Sequence, residues 1–594
     1  MSMQPGAFVA SPALRTRPVR PSSPGALWPS LLLALLSSVL LDLCFPIAGP
    51  QRPWQPLLAW IALVPLLRAL LAERQVAHPR YLRRAALTGY LCGLLWYILN
   101  CYWIYRTMLL YGVNFPAIAA AGILFLFSAI LGLYFGAFGL ILAFFRRRFG
   151  LGPALILAPF LWTALDLAAA RITSVPWDQF GYSQINNLWI TRLAPITGVY
   201  GITFVLVAAN AAIAAVLLAP ARRARIAAGA AGIAFAFVLS FGSFISLAPS
   251  PTSTYAVLLQ PNNNVESDQS WHGTRWNGSA AWLIQQSQLT CTPAFAGMPQ
   301  DSGAPPSGAP PLSPAVGDRV GEAAAPPSGA PPLSPQAIGW ARTCSQNTPP
   351  PGVILWPETY SWFASNDPET QAALRAVATA AHAPFIAGML AFDPSGVYNS
   401  AVFVRADGSI AGRYDKIHLV PFGEYVPYEK LFFFAKTLTH QLSHLKPGHA
   451  RVVFRTGGHA FGVFICYESI FGDEIRQFAR NGAQVLVNLS DDGWYGDTSA
   501  PWQHLDMTRM RAVENHRWLL LDTNNGVTTV IDPYGRVTLS APRHTLATLV
   551  ARYGYESDLT FYTQHGDLFA YLCSVVVILA LALAFRRRNR IAVP

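Results

Sequence analysis

Charge is scarce in this chain: Asp, Glu, Lys and Arg make up 12% of its 594 residues, against 53% hydrophobic ones. A typical soluble domain carries about 25% charged residues, so the composition argues against an ordinary soluble protein and for one that lives in a membrane. Acidic residues are nearly missing outside one stretch. Residues 248–567 hold 20 Lys+Arg and 26 Asp+Glu, a net of −6, whereas the remainder holds 22 and 4, a net of +18. The overall excess of +12 therefore belongs to the apolar part, and a nucleic-acid-binding reading has no footing. Lysine is almost absent too, with four among 42 basic residues: Lys416, Lys430, Lys436 and Lys446, all in one short region. Cysteine is limited to seven residues, of which Cys44, Cys92, Cys101 and Cys573 fall in or beside apolar runs and read as packing residues. His440 and His444 are four apart, but no Cys or carboxylate completes a ligand set, so no metal and no cofactor are expected.

Long hydrophobic runs, by contrast, are plentiful. Apolar segments of about the twenty residues needed to span a bilayer occur near 28–48, 54–72, 86–108, 115–145, 152–171, 197–219, 226–247 and 568–585. No small-residue cleavage site follows the first, so it is read as retained. Arginines cluster in alternate loops: Arg15/Arg17/Arg20, Arg74/Arg80/Arg83/Arg84, Arg146–Arg148, Arg222/Arg223/Arg225 and Arg586–Arg590. The opposite loops carry little beyond Arg52, Arg106, Arg171 and Arg192. By the positive-inside rule both termini are cytoplasmic, and the large region after the seventh span lies outside the cytoplasm.

The expected organisation is a basic cytoplasmic tail at 1–26, a seven-helix membrane domain at 27–247, an α/β domain at 248–565, an eighth transmembrane helix at 566–585 and a second basic tail at 586–594. In the α/β domain, strand-like runs at Tyr255–Gln260, Val353–Trp356, Phe385–Leu390, Ala401–Arg405, Ala460–Cys466, Val485–Leu489 and Trp518–Asp522 alternate with helical patterns at Glu369–His382, Ser469–Arg480 and Trp502–Arg517. One stretch, about 296–337, belongs to no core. It repeats Ala-Pro-Pro-Ser-Gly-Ala-Pro-Pro-Leu-Ser-Pro at 304–314 and 325–335, and reads as a disordered duplication. Cys291 and Cys344 flank it. In an oxidising compartment they could pair and close the loop, or be two unrelated thiols.

Three well-separated segments carry chemistry. Cys466 ends the apolar run Phe461–Ile465, just before a helical pattern whose N-terminal amides would face the sulfur. Glu358 ends Val353-Ile-Leu-Trp-Pro-Glu358, and Lys416 lies in Arg413-Tyr-Asp-Lys-Ile-His418. Together they make a nucleophile, a base and a cation. Glu424 follows Lys416 by eight residues, in a loop that Gly423 and two prolines constrain.

These motifs, W-P-E at 356–358, D-K-x-H-L-V-P-F-G-E at 415–424 and C-Y-E at 466–468, resemble the nitrilase superfamily, whose members use a Glu–Lys–Cys triad in an αββα sandwich. With seven spans before that domain and one after, the chain is similar to the bacterial apolipoprotein N-acyltransferase family. Val175–Gln184, Leu193–Gly201, Tyr398-Asn-Ser400, Trp502–Glu514 and Thr523-Asn-Asn-Gly526 carry the likeness further. The chain departs from that pattern at Asp491-Asp492-Gly493-Trp494 and at Gln260-Pro-Asn-Asn-Asn264, which touches substrate loops rather than the triad.

The resemblance implies catalytic Glu358, Lys416 and Cys466, supported by Glu424, Tyr467 and Glu468, with Trp271, Asn399, Tyr425, Phe432, Phe433 and Trp494 binding substrate. It implies a phospholipid acyl donor, a diacylglyceryl apolipoprotein acceptor, a Cys466 thioester, and a monomer in the bacterial inner membrane with its site on the periplasmic side. Phe432 and Phe433, flanked by Lys430 and Lys436, read either as a lid dipping into the lipid interface or as a buried helix. Two other functions stay open: a membrane-anchored amidase using water, against which seven leading spans argue, and a transporter, against which the few charges in the spans (Asp42, Arg68, Asp166) argue.

Overall fold

The computed structural model describes residues 27–72, 76, 78–111, 116–218, 248–263, 283, 286–287, 350–358, 368–421, 423–425 and 445–590. The N-terminal tail, the expected span at 226–247, the Pro-rich repeat and the stretch holding Phe432, Phe433, His440 and His444 lie outside them.

Four helices among the described residues are long and apolar enough to cross a membrane: Ala117–Phe149, Leu151–Thr173, Val199–Leu218 and Leu568–Arg586. A fifth is formed if Tyr81–Asn100 and Trp103–Leu110, bent by 45°, count as one span. Among the described residues, not every expected span is a single long helix. The first is a 15-residue helix, Trp28–Asp42. The second breaks into Gln55–Leu58 and Val64–Leu71, each with a proline in its first turn, where a missing N–H does no harm. The break frees backbone groups that lipid cannot satisfy, and neighbouring side chains take them up. Ser37 donates to Ala62 O at 2.8 Å and accepts from Leu66 N at 2.9 Å. Asn210 accepts from Leu63 N and donates to Ala59 O, both at 2.8 Å. The pairing of Tyr81–Asn100 against Ala117–Phe149 runs through glycines: a Cβ on Gly89 or Gly139 would strike the facing backbone carbonyl of Phe135 or Ala85.

Among the described residues, the strands between Thr254 and Tyr553 form two six-stranded sheets. The first has the order β12-β1-β2-β3-β4-β5 and the second β11-β10-β9-β8-β7-β6. The strands are β1 Thr254–Gln260, β2 Val353–Trp356, β3 Phe385–Asp393, β4 Gly396–Val404, β5 Ile410–Asp415, β6 Val453–Thr456, β7 His459–Ile465, β8 Val485–Ser490, β9 Trp518–Thr523, β10 Thr529–Ile531, β11 Val537–Ser540 and β12 Ala547–Tyr553. β1-β2-β3 and β7-β8-β9 are parallel, and antiparallel strands flank both.

Period-two alternation sorts the side chains into layers. Ala256, Leu258, Val353 and Leu355 join Val463, Val485, Val487 and Leu519 in one core between the sheets. Tyr255, Val257, Leu259, Ile354 and Trp356 face the other way, onto Leu374, Val377 and Ala378 of the helix Pro368–Ala381. Helices Gly472–Arg480 and Ala500–Asn515 pack against the second sheet. The result is the expected α-β-β-α layering. The central strands were legible as apolar runs. β5, β6 and the flanking β10 to β12 are additional, and the run at Ala401–Arg405 is the second half of a longer hairpin strand that already includes Asn399.

Helix Ala500–Asn515 also rests on one end of the apolar helix bundle. Gln503 accepts from Trp177 Nε1 at 2.9 Å and donates to Asn100 Oδ1 at 3.1 Å. Glu514 accepts from Val199 N at 3.0 Å, and Arg511 donates to Tyr182 OH at 2.8 Å. Arg171 bridges Asp473 at 2.9 Å and Asp567 at 2.6 Å.

Candidate active site

The parallel strands end together, and their carboxyl ends are where an α/β sheet gathers ligand groups. Glu358 stands two residues beyond β2. Cys466 directly follows β7, Asp491 and Asp492 follow β8, and Asn524 follows β9. From the other sheet edge, β4 supplies Asn399 and the residue after β5 is Lys416. Lys416 N donates to Asn399 O at 2.8 Å, which sets the two residues side by side.

Glu358, Lys416, Glu424 and Asn399 form one buried quartet. Lys416 Nζ donates to Glu358 Oε1 and to Glu424 Oε1, each at 3.0 Å. Asn399 Nδ2 donates to the same two oxygens, at 2.7 and 2.8 Å. The second oxygens are held by backbone: Glu358 Oε2 by Asp491 N at 2.9 Å and Glu424 Oε2 by Val420 N at 2.7 Å. Lys416 is 1% exposed, Glu358 6% and Glu424 8%. Burial works against the Lys416 charge, but the Glu358 and Glu424 carboxylates outweigh it and hold the ammonium well above the usual lysine range. Burial also pushes Asp491 up to about 7, with the Glu358 charge adding to it.

Gly388 on β3 makes the approach of Glu358 possible. A Cβ there would collide with the Pro357 carbonyl and lie 2.8 Å from Glu358 Cα.

Cys466 sits on an elbow. Its φ is +48°, a left-handed conformation that disfavours an L residue by roughly 1–2 kcal/mol. It opens a short 3-10 turn, Cys466–Ile470, and the α-helix starts only at Gly472. The expected α-helix N-terminus beside the sulfur is therefore corrected to this tighter turn. Glu468 organises it. Its two oxygens accept from Ile465 N and Ile417 N at 2.7 Å, from His418 N at 3.1 Å and from Tyr414 OH at 2.8 Å. One fully buried carboxylate thus ties the cysteine turn to the lysine loop, which explains why an ionisable side chain stands at 468. Burial pushes the Cys466 thiol well above the usual cysteine range, the Glu358 charge pushes further, and Lys416 and a Ser490 hydrogen bond pull back. A thiol in this setting needs a base to become a nucleophile.

A second network lies behind the elbow. His504 Nδ1 is 3.0 Å from Asp492 Oδ1, and its Nε2 is 3.1 Å from Cys466 O and 2.7 Å from Ser469 Oγ. Ser490 Oγ donates to Asp492 Oδ1 at 2.8 Å, and Asn488 Nδ2 donates to Cys466 O at 3.3 Å. Cys466, Asp492 and His504 offer metal-ligand atoms within 4.8 Å of one another, but His504 and Asp492 are already joined to each other by hydrogen bonding. Sequence reasoning passed over His504; its place in the Trp502–Glu514 stretch was the only signal.

The other expected residues divide. Tyr467 is buried, its hydroxyl 3.4 Å from Ser174 O in the membrane unit. Tyr425 is 37% exposed at the end of the glutamate loop, and Trp494 is half-buried in the turn after Asp492. Asn399, expected to bind substrate, bridges the two glutamates through its Nδ2. Trp271, Phe432, Phe433, Cys291 and Cys344 lie outside the described residues.

Comparison with known proteins follows the same division. Residues 346–554 match the carbon-nitrogen hydrolase family, and residues 37–212 match the apolipoprotein N-acyltransferase N-terminal domain. The chain is 30% identical over 579 residues to an apolipoprotein N-acyltransferase from Ralstonia nicotianae, covering 94% of this chain and 93% of that one. It is 29% identical over 570 residues to one from Geobacter metallireducens, covering 94% and 96%. Among solved structures it is similar to an amidase from Nesterenkonia sp., at 17% identity and a TM-score of 0.32 over 55% of this chain and 98% of that one.

Proposed function

Since the chain belongs to the apolipoprotein N-acyltransferase family, we propose that it moves a fatty acyl chain from a phospholipid to the α-amino group of a lipoprotein's diacylglyceryl-modified N-terminal cysteine. The carrier of this reading is the buried Glu358–Lys416–Glu424–Asn399 quartet next to Cys466, in a domain whose helix Ala500–Asn515 rests on the membrane helices.

In the first half-reaction Glu358 takes the Cys466 proton and the sulfur attacks the phospholipid ester carbonyl. Lys416 stabilises the oxyanion. The C–O bond breaks, the proton passes to the departing lysophospholipid, and a thioester remains. In the second half the lipoprotein amine attacks that thioester, its C–S bond breaks, and Glu358 carries the amine proton to the sulfur. Glu424 and Asn399 hold Lys416 and Glu358 in place through both halves. Water has to be excluded for transfer to outrun hydrolysis, and burial of the whole quartet serves that end. The arginine distribution supports a bacterial inner-membrane location with the site on the periplasmic side.

The test uses the full chain in mixed phospholipid–detergent micelles with a diacylglyceryl-cysteine peptide, followed by mass spectrometry. N-acylated peptide and lysophospholipid should appear in equal amounts. Free fatty acid with unmodified peptide would instead make the protein a lipid hydrolase.

A further inference from the structure

The Cys466 carbonyl faces two side-chain nitrogens, His504 Nε2 at 3.1 Å and Asn488 Nδ2 at 3.3 Å. A carbonyl oxygen only accepts, so the contact is a hydrogen bond in the tautomer with a proton on Nε2, and Ser469 Oγ, 2.7 Å from the same nitrogen, then accepts from it as well. On the ring's other side Nδ1 meets Asp492 Oδ1 at 3.0 Å, an oxygen that also accepts from Ser490. His504 and Asp492 are 0% and 1% exposed. Burial disfavours an imidazolium, but the Asp492 charge outweighs it and raises the histidine above its usual range.

We propose that His504, oriented by Asp492, is a positioning residue that fixes the Cys466–Tyr467 peptide and so holds the nucleophile's left-handed elbow. A left-handed non-glycine residue relaxes unless its surroundings hold it. Because a trans peptide is planar, pinning the Cys466 carbonyl also fixes the direction of the Tyr467 N–H. That restrains ψ of Cys466 and with it the left-handed turn from which the sulfur is presented. His504 does not touch the reacting atoms; it acts through the backbone. The role rests on the acyl-transfer reading only for its lipid readout.

The geometry separates two near-isosteres. In Gln the amide nitrogen falls near the position of Nε2, so His504→Gln keeps a donor for Cys466 O. In Asn it falls near Nδ1, so His504→Asn keeps the contact to Asp492 and loses the one to Cys466. The full chain is assayed in two ways: the rate and KM of Cys466 acylation by labelled phospholipid, and the rate of Cys466 alkylation by iodoacetamide. His504→Asn should slow maximal acylation on the order of 100-fold, the penalty of an ångström-scale misplacement, with KM unchanged. His504→Gln should stay within about threefold of wild type, as expected where the geometry is kept. Equal losses in both variants, or a faster Asn variant, overturn the proposal. Asp492→Asn supplies a second judgement if either fails to fold. Removing a negative charge beside the thiol would by itself speed alkylation; loss of positioning slows it, and a faster rate refutes the proposal. Absence of lipid label on wild-type Cys466 would count against the acyl-transfer reading, while alkylation still decides the role of His504.

Discussion

Lys416→Met removes one charge from the quartet and leaves a stem of similar length. The ammonium contacts two carboxylates at 3.0 Å. At that distance and an effective dielectric constant of about 20, each contact has a Coulomb energy of about 5.5 kcal/mol. Desolvation of the lysine and both glutamates offsets much of it. What remains is the penalty for breaking a buried pair by deleting one partner, about 3–5 kcal/mol. In a cooperative unit of 150–250 residues this lowers Tm by roughly 6–20 °C. The cause is unpaired negative charge, so Glu424→Gln placed on top of Lys416→Met should return about 1–2 kcal/mol, whereas Glu424→Gln alone should destabilise. Tm of all four proteins, measured in one detergent at one scan rate, gives the cycle. Additive effects, or a Lys416→Met protein as stable as wild type, would refute the reading of Lys416 as the shared counterion. Acyl transfer should fall on the order of 100- to 1,000-fold in both lysine variants, as when an oxyanion donor is lost, and stay low even where stability is regained.

Glu358→Gln should move two rates in opposite directions. The Glu358 charge helps hold the buried thiol protonated, so its removal lowers the thiol pKa and speeds iodoacetamide alkylation at pH 8 severalfold; acyl transfer falls at least about 100-fold for want of a base. Slower alkylation would contradict the electrostatics. Gly388→Ala should push Glu358 off Lys416, because the obstructing atoms are backbone. A stability loss of about 1–3 kcal/mol with a disproportionate loss of turnover is expected, and normal turnover would show that the close approach is dispensable. Glu474 is held down at about 2, since His418 and Arg451 overcome the opposing effect of burial. Its folded pKa lies below its unfolded value, so its stabilisation is present above about pH 4.5 and is lost as pH falls toward 2. The Tm gap between wild type and Glu474→Gln should therefore be widest above pH 5, about 1 kcal/mol for a partly screened pair, and close on acidification. A pH-independent gap would refute the assignment.

The sequence announced the parts that obey simple periodicity. Apolar runs became β1, β2, β3, β7, β8 and β9, because a strand buried on both faces needs little but apolar residues. Glu358 and Cys466 could be picked out because each closes such a run. Lys416 was visible as one of four lysines in an arginine-rich chain. What stayed hidden depends on contacts across long sequence distances. Nothing near Asn399 announces that its amide bridges two glutamates on different loops, and nothing near Glu468 announces four donors converging from β5, β7 and the lysine loop. His504 lies on a helix 38 residues after the cysteine and meets it only once β8 and β9 are in place. Helix breaks in the membrane region escaped hydropathy because Ser37 and Asn210 satisfy the freed backbone groups without lowering the apolar average much.

The central claim is that Cys466 carries the acyl chain. Incubating the full chain with acyl-labelled phospholipid, without acceptor, and treating the isolated protein with hydroxylamine tests it most directly. Label should sit on the peptide containing Cys466, be released by hydroxylamine, be missing from Cys466→Ala, and pass to the amine of an added diacylglyceryl-cysteine peptide. Equal labelling of Cys466→Ala, or label that hydroxylamine does not release, would contradict the account.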